Sequence, residues 1–225
     1  MIERDDELTA AAHARVRVLL AACAQSVGVD GAGFSLARAG TMEPVMGTDD
    51  VAEAIERTQF TTGEGPCLDA SRSVSPVLVA DLQHPGDGHS LRWPAFANEA
   101  RELGVRAIFA LPLRVGDTAI GAADLYRRDP GPLAGQALAR ALTVANAVTL
   151  TLLDGGRTDA TFGDEAPLMN LDAHRAAGMI MVQLGVSIDQ ALVRLRSTAY
   201  ADGVPVEQLA KDVIDGRRRF EEDER

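Results

Sequence analysis

Cysteine, lysine and aromatic residues are scarce in this chain. Its 225 residues include two cysteines, Cys23 and Cys67, a single lysine, and only 4% aromatic residues. Two cysteines are too few for a disulfide framework, an iron–sulfur cluster or a cysteine-based zinc site. We therefore expect no cofactor and no metal site.

Targeting, membrane and catalytic signals are also missing from the sequence. No charged-then-apolar N-terminus indicates a signal peptide, and no run approaches the roughly 18 apolar residues of a membrane helix. No phosphate loop, catalytic-triad spacing or metal motif occurs. We expect a cytoplasmic protein that is not an enzyme and does not contact a membrane.

Acidic side chains outnumber basic ones over the chain as a whole. The formal net charge is −11, which argues against broad nucleic-acid binding because such binding usually needs a basic surface. Residues 166–220 differ from the rest: they carry seven basic and six acidic side chains, whereas residues 1–165 have a net charge of −9. Nucleic-acid contact in residues 166–220 would therefore depend on clustering of cations on one face.

Helical and strand patterns alternate over the first 158 residues. Apolar periodicity predicts helices over residues 6–25, 50–58, 93–103 and 133–154. Apolar runs bounded by turn residues predict strands over residues 31–37, 44–47, 77–82, 107–115 and 118–126. Gly116-Asp117 suits the turn of a hairpin between the last two strands. This order predicts an α+β domain with an antiparallel sheet flanked by helices.

Three short helices follow over residues 166–220, at 168–184, 188–199 and 206–214. Ser187 is placed to cap the second helix, while Gly185 and Gly203 suit helix ends. A glycine inside a helix is unfavourable, so Gly178 predicts a close approach between two helices. We expect a small all-α bundle, more typical of binding than of catalysis, and then an acidic tail over residues 221–225.

The three helices resemble an ANTAR domain, the RNA-binding output module of bacterial antiterminators. The matching residues include Arg175-Ala176-Ala177-Gly178-Met179-Ile180-Met181, Gly185-Val186-Ser187 and Leu209-Ala210. The family often has lysine where this chain has Ala177, and favours an aromatic residue where it has Leu192. The resemblance implies a domain over residues 166–220 that binds RNA hairpins in nascent transcripts and prevents terminator formation.

The N-terminal part resembles a GAF domain, the sensory sheet-and-helix fold of many bacterial regulators. The matching segments are residues 60–70, Val79-Ala80-Asp81-Leu82, Arg92-Trp93-Pro94-Ala95-Phe96 and the hairpin of residues 111–126. The resemblance implies a sensory or dimerisation domain over residues 1–158, and hence a homodimer. A GAF domain followed by an ANTAR domain is a recurrent architecture of actinobacterial regulators, and the preference for arginine over lysine fits a GC-rich genome.

The second helix of the bundle carries the candidate RNA-binding side chains. Arg196 and Tyr200 lie one turn apart, so they share a face, and Ser197 lies on an adjoining face. Arginine and hydroxyl groups reach phosphates, and tyrosine can stack on an unpaired base. An ordinary solvated helix surface is the alternative. The predicted RNA-binding set is Arg175, Arg194, Arg196, Ser197, Tyr200 and Lys211.

Three features of the N-terminal part leave alternatives open. Cys67, in a glycine-rich turn, is either a small buried residue or a reactive thiol. His84, Asp87 and His89 contain the ligand types of a facial triad, but proline and glycines between them favour a solvated loop. The interior of the domain either is filled by apolar side chains or holds a small-molecule ligand.

Two other functions compete with RNA binding. A protein-interaction module without a nucleic-acid role fits the near-neutral bundle. A DNA-binding regulator is suggested by residues 204–210, which resemble the opening of a helix-turn-helix, although that motif needs a recognition helix afterwards.

Overall fold

The computed structural model describes residues 2–38, 41–84, 88–155 and 171–221. Its helices are α1 (Ile2–Val27), α2 (Asp50–Thr62), α3 (Pro66–Ser73), α4 (His89–Arg92), α5 (Pro94–Glu102), α6 (Gly135–Gly155), α7 (Leu171–Leu184), α8 (Ile188–Asp202) and α9 (Val206–Ile214). Its strands are β1 (Gly31–Arg38), β2 (Thr41–Gly47), β3 (Val77–Val79), β4 (Ala107–Val115) and β5 (Thr118–Arg127). Residues 168–170 of the first predicted bundle helix and residues 222–225 of the predicted acidic tail lie outside these ranges.

The five strands form one antiparallel sheet in the order β2-β1-β5-β4-β3. The sequence correctly predicts the antiparallel sheet flanked by helices. Gly116 and Asp117 turn the chain between β4 and β5, where Val115 pairs with Thr118. The third strand is shorter than predicted, since it ends at Val79, and α2 is longer, since Gly63 ends it in a left-handed conformation.

Alternate side chains of the strands face two different helical layers. In β4, Phe109 and Leu111 pack with α1 and α6 on one face, whereas Ile108 packs with α2 and α5 on the other. This alternation is the expected period of a strand buried on both faces. The apolar strand residues that could have lined a ligand cavity, including Phe34, are themselves buried in this packing.

Helix α6 corrects the expectation about membrane helices. Among the described residues it is the one helix whose length and composition would allow it to span a membrane, over Gly135–Asp154 with a mean hydropathy of 1.3. Its inner face, including Ala145 and Val148, is buried in the core beneath the sheet. The apolar composition of this face therefore has a packing role in the N-terminal domain.

Helices α7, α8 and α9 form a three-helix bundle, here called the C-terminal bundle. Its core consists of small and branched apolar side chains from all three helices, such as Ala177, Leu195 and Val213. Ser187 caps α8 as predicted: its side chain accepts from the Gln190 backbone N–H, and the Gln190 side chain accepts from the Ser187 N–H. This reciprocal pair is the capping box that fixes helix starts.

Gly178 does not mark a close helix approach, so that expectation is wrong. A Cβ atom built at Gly178 would meet no atom within 4 Å among the described residues. Because glycine is unfavourable inside a helix, Gly178→Ala should raise the free energy of unfolding by about 1 kcal/mol. Urea denaturation measures this change.

Gly33→Ala is the matched control for that substitution. A Cβ atom at Gly33 would lie 2.6 Å from Glu56 Oε1, so this change should lower stability. A decrease in stability at Gly178 as well would show that the helix needs glycine there for another reason.

Candidate functional site

Helix α2 lies between the sheet and the C-terminal bundle, and its ends are fixed by specific contacts. Asp49 caps its start by accepting hydrogen bonds from the backbone N–H groups of Val51 and Ala52, both at 2.9 Å. The Tyr126 hydroxyl of β5 donates to the same carboxylate at 3.0 Å. Because both the cap and the sheet hold Asp49, the side chains along α2 have defined positions relative to the strands.

The inner face of α2 contributes to a group of polar side chains inside the N-terminal domain, here called the buried polar cluster. Its members come from β1, α2, α3 and β5: Ser35, Glu56, Gln59, Cys67 and Asp124. The Ser35 hydroxyl donates to Glu56 Oε2, and the Gln59 amide donates to Asp124 Oδ2. The Cys67 backbone N–H donates to Gln59 Oε1 at 2.8 Å. Gln59 therefore joins the two sides of the cluster.

Burial dominates the electrostatics of the cluster. It raises the pKa of Glu56 well above its ordinary value, and the charge of Asp124 raises it further. Burial also raises the pKa of Asp124 to about 7. The pKa of the Cys67 thiol is raised well above its usual range by burial and by the nearby Asp124 and Glu56 carboxylates. The Cys67 thiol of the ion-free protein is therefore protonated at neutral pH and is a poor nucleophile.

The other sequence features of this region have structural roles. The Glu64 carboxylate accepts from the backbone N–H groups of Ala95 and Phe96 at 2.7 and 3.0 Å, at the start of α5. The Trp93 indole donates to Asp69 at 2.9 Å. These bonds join the glycine-rich segment to the Arg92–Phe96 segment. Of the candidate His84–Asp87–His89 triad, Asp87 and the His89 side chain lie outside the described part of the chain.

The C-terminal bundle docks on the N-terminal domain through charged and aromatic groups, here called the domain interface. Arg196 of α8 lies over the Phe60 ring of α2, with 4.1 Å between the guanidinium carbon and the ring centroid. His174 of α7 contacts the Glu43 carboxylate of β2, and the Arg38 guanidinium lies 3.9 Å from the same carboxylate. Glu43 is buried by these contacts.

The guanidinium of Arg196 is charged although it is largely buried. Burial lowers its pKa to about 10, and the Glu43 carboxylate acts in the opposite direction. The cation therefore persists at neutral pH. Its Nε and Nη2 atoms are buried and make no hydrogen bond within the described part of the chain. The Phe60 ring and the charge of Glu43 stabilise the buried cation in place of these hydrogen bonds.

A cleft of about 650 Å³ adjoins the domain interface. The N-terminal side of the cleft includes Gln59 and Arg72, and the bundle side includes Val193, Ser197 and Tyr200. The cleft therefore touches the buried polar cluster through Gln59 and the candidate RNA-binding face through Tyr200. Its size is that of a small-molecule site.

The structure separates the predicted RNA-binding residues into two groups. Arg196, Ser197 and Tyr200 face the cleft, whereas the cleft lining does not include Arg175, Arg194 or Lys211. Tyr200 is 53% exposed, but Arg196 is only 9% exposed. In this arrangement the guanidinium of Arg196 lies buried against the Phe60 ring, so an RNA phosphate cannot reach it.

The remaining members of the set are accessible. Arg175, Arg194 and Lys211 are exposed on three different helices, and Arg175 lies 3.8 Å from Asp172 one turn earlier. Ala177, where the ANTAR family often has lysine, is buried in the bundle core. This position of the chain therefore supports packing, not contact with a ligand.

Glu43, Glu56, Asp124 and His174 are functional candidates that the sequence alone does not indicate. One signal was available for Asp124, because it interrupts the apolar run Gly121-Ala122-Ala123-Asp124-Leu125 at a position in a central strand. A carboxylate there is rarely buried without a partner. Glu43, Glu56 and His174 stand at positions where the local strand or helix pattern allows a polar side chain. Only the folded structure therefore shows what surrounds them.

Comparisons with known proteins identify both domains. The GAF domain family model matches residues 12–152, and the ANTAR domain model matches residues 173–214. Both matches fall within the predicted domains 1–158 and 166–220, whose limits stay predictions. A comparison with curated proteins found no match.

Several solved structures share the fold of the N-terminal domain. A domain attributed to a two-component sensor histidine kinase from Sinorhizobium meliloti is 20% identical, with a TM-score of 0.51, and the match covers 63% of this chain and 90% of that one. The GAF domain region of a protein described as a membrane protein from Geobacter sulfurreducens is 14% identical, with a TM-score of 0.50, over 64% of this chain and 96% of that one. The chain belongs to the GAF domain family and carries an ANTAR domain at its C-terminal end.

Proposed function

We propose that the protein is a signal-responsive transcription regulator whose ANTAR domain binds RNA hairpins and causes antitermination. The observation that carries the proposal is the ANTAR match over residues 173–214, on a bundle that presents Arg194 and Tyr200 on its surface. ANTAR domains are RNA-binding antiterminator modules and GAF domains are sensors. The actinobacterial origin suggested by the domain order is part of this proposal.

Docking of the bundle supplies a means of control. Arg196 contacts Phe60 in the arrangement described above, and the same side chain belongs to the candidate RNA-binding face. RNA and the GAF domain therefore compete for Arg196. A signal that favours the undocked arrangement increases RNA binding only to the extent that it binds the two arrangements with different affinity.

Three further features belong to the proposal. A small-molecule signal would fit the cleft next to Gln59 and Tyr200. A homodimer in the cytoplasm would use the outer faces of α1 and α6, where Val18 and Leu150 are 68% and 66% exposed. Two bundles in one dimer could then engage two neighbouring RNA hairpins. Large exposed apolar side chains on adjacent helices are typical of protein interfaces.

Ultraviolet cross-linking in cells tests the proposal. RNA bound to the full chain, to residues 1–165 alone and to an Arg194→Ala variant would be sequenced. We expect the full chain to enrich paired hairpins upstream of terminators, residues 1–165 to lose them, and Arg194→Ala to reduce them, because Arg194 is an exposed cation of the predicted RNA-binding set. Arg101→Ala, which removes an exposed cation from the GAF domain, is the matched control.

The alternatives predict other outcomes of the same experiment. A protein-interaction module would be favoured if the full chain cross-linked no more RNA than background. The same result would be needed for a variant whose bundle no longer docks on the GAF domain. Enrichment of DNA would favour the DNA-binding alternative. That alternative lacks support in the described residues, because α9 ends at Ile214 and no helix follows it up to residue 221.

A further inference from the structure

We propose that the buried polar cluster binds a divalent transition-metal ion through Glu56, Asp124 and Cys67. One carboxylate oxygen from each acid and the Cys67 sulfur lie within 4.8 Å of one another, and all three residues are buried. Three such atoms can converge on a single ion at ordinary metal–oxygen and metal–sulfur distances. The site lies inside the GAF domain, where α2, α3 and β5 meet.

The orientation of the two carboxylates is that of metal ligands. Ser35 holds Oε2 of Glu56, and Gln59 holds Oδ2 of Asp124, each through a hydrogen bond. The other oxygens, Oε1 of Glu56 and Oδ1 of Asp124, are buried and meet no N–H or O–H donor among the residues that the structure describes. Without an ion the two acids can share only a proton between them. Ligating carboxylates are typically fixed by hydrogen bonds in this way, with one oxygen left for the ion.

Gln59 gives the third ligand a defined position as well. Its Oε1 accepts from the Cys67 backbone N–H at 2.8 Å, while its Nε2 bonds Asp124. Gln59 thus orients two ligands at once. It also lines the cleft next to the domain interface, so the site lies close to this cleft.

The charges of the site call for a cation. Neither Glu56 nor Asp124 has a basic side chain among its hydrogen-bond or ion-pair partners in the described residues. Two carboxylates in an apolar interior are unstable as a pair of anions unless a proton or a metal ion compensates them. A metal ion would displace the proton of the pair and the thiol proton of Cys67, and both protons would pass to solvent.

The donor set selects the class of ion. A thiolate ligand excludes calcium and magnesium, which take oxygen ligands. Two carboxylate oxygens with one thiolate fit zinc or ferrous iron, with a fourth position available to water or a small ligand. A site with an open position can respond to a small ligand, whereas purely structural zinc sites have four protein ligands.

Metal titration of the full chain, purified with a chelator and then freed of it, tests the site. We expect one zinc ion to bind per chain, with release of protons. Cobalt should bind at the same site and produce the near-ultraviolet absorption of a thiolate–cobalt bond. Cys67→Ser should abolish that absorption, whereas Cys23→Ser, which alters the other buried cysteine, should retain it.

Variants of the two acids test the metal site independently, in case Cys67→Ser does not fold. Glu56→Gln and Asp124→Asn should each weaken zinc binding by about tenfold or more while circular dichroism shows an intact fold. Failure of the wild-type chain to bind zinc or cobalt would overturn the proposal, and so would a cobalt spectrum unchanged by Cys67→Ser. Neither result depends on RNA, so the metal site and the proposed function can fail separately.

Discussion

Glu43→Gln is expected to release the C-terminal bundle from the GAF domain. Glu43 is the buried carboxylate that compensates Arg196 at the domain interface and contacts His174. Glu43 makes no ion pair with Arg196 among those of the described residues, but its charge favours the buried cation. A buried charge left without compensation typically costs about 3–5 kcal/mol. Here the chain can avoid that cost by undocking, which returns Arg196 to water.

Small-angle scattering and limited proteolysis measure this release. We expect a larger radius of gyration and faster cleavage of the chain into its two domains in the Glu43→Gln protein. The matched control is Glu53→Gln, since Glu53 forms a partly exposed ion pair with Arg57 within α2, at 3.5 Å. Exposed pairs of this kind contribute little. Unchanged scattering for Glu43→Gln would show that the carboxylate does not hold the two domains together.

Asp124→Asn is expected to change how the stability of the metal-free protein depends on pH. The pKa of Asp124 is raised from 3.8 to about 7 in the folded chain, so between about pH 4 and 7 the folded state holds a proton that the unfolded state has lost. The free energy of unfolding must therefore fall as pH rises through this window. Because Asp124 and Glu56 interact directly, the fall belongs to the pair of acids and not to Asp124 alone.

The asparagine side chain cannot ionise, so the variant should lose much of this fall and be more stable than the wild-type chain at pH 8. The remaining slope would come from Glu56, whose pKa is also raised. Urea denaturation at several pH values, with a chelator present, measures the effect. Asp117→Asn, in the exposed hairpin turn, is the control. Parallel curves for the wild-type chain and Asp124→Asn would mean that Asp124 ionises normally.

Local structure was accessible from the sequence because local signals determine it. The capping box at Ser187, the turn at Gly116-Asp117 and the antiparallel sheet all follow from spacing within a few residues. The Arg196–Tyr200 pair was correctly placed on one face of a helix, because helical periodicity alone decides that. What covers Arg196 depends on Phe60, far away in the chain, and no local pattern reports it.

The buried polar cluster could not be predicted for the same reason. Gln59 and Asp124, which share a hydrogen bond, are 65 positions apart, and Cys67 belongs to a third element. The apolar pattern of α2 does not decide whether Glu56 faces solvent or the sheet. The close packing of Glu56 against Gly33 of β1 shows that it faces the sheet. Helix α2 thus carries both Glu56 of the cluster and Phe60 of the domain interface, one turn apart.

Arg196 contacts either Phe60 or RNA but not both, and one affinity measurement tests this competition most directly. A hairpin pair enriched by cross-linking would be titrated with the wild-type chain, the Glu43→Gln variant and the Glu43→Gln/Arg196→Ala variant. We predict that Glu43→Gln binds at least about tenfold more tightly than wild type, a difference of roughly 1.4 kcal/mol, and that adding Arg196→Ala removes the gain. Equal affinity of the two variants would contradict the account, because Arg196 would then have no part in RNA binding.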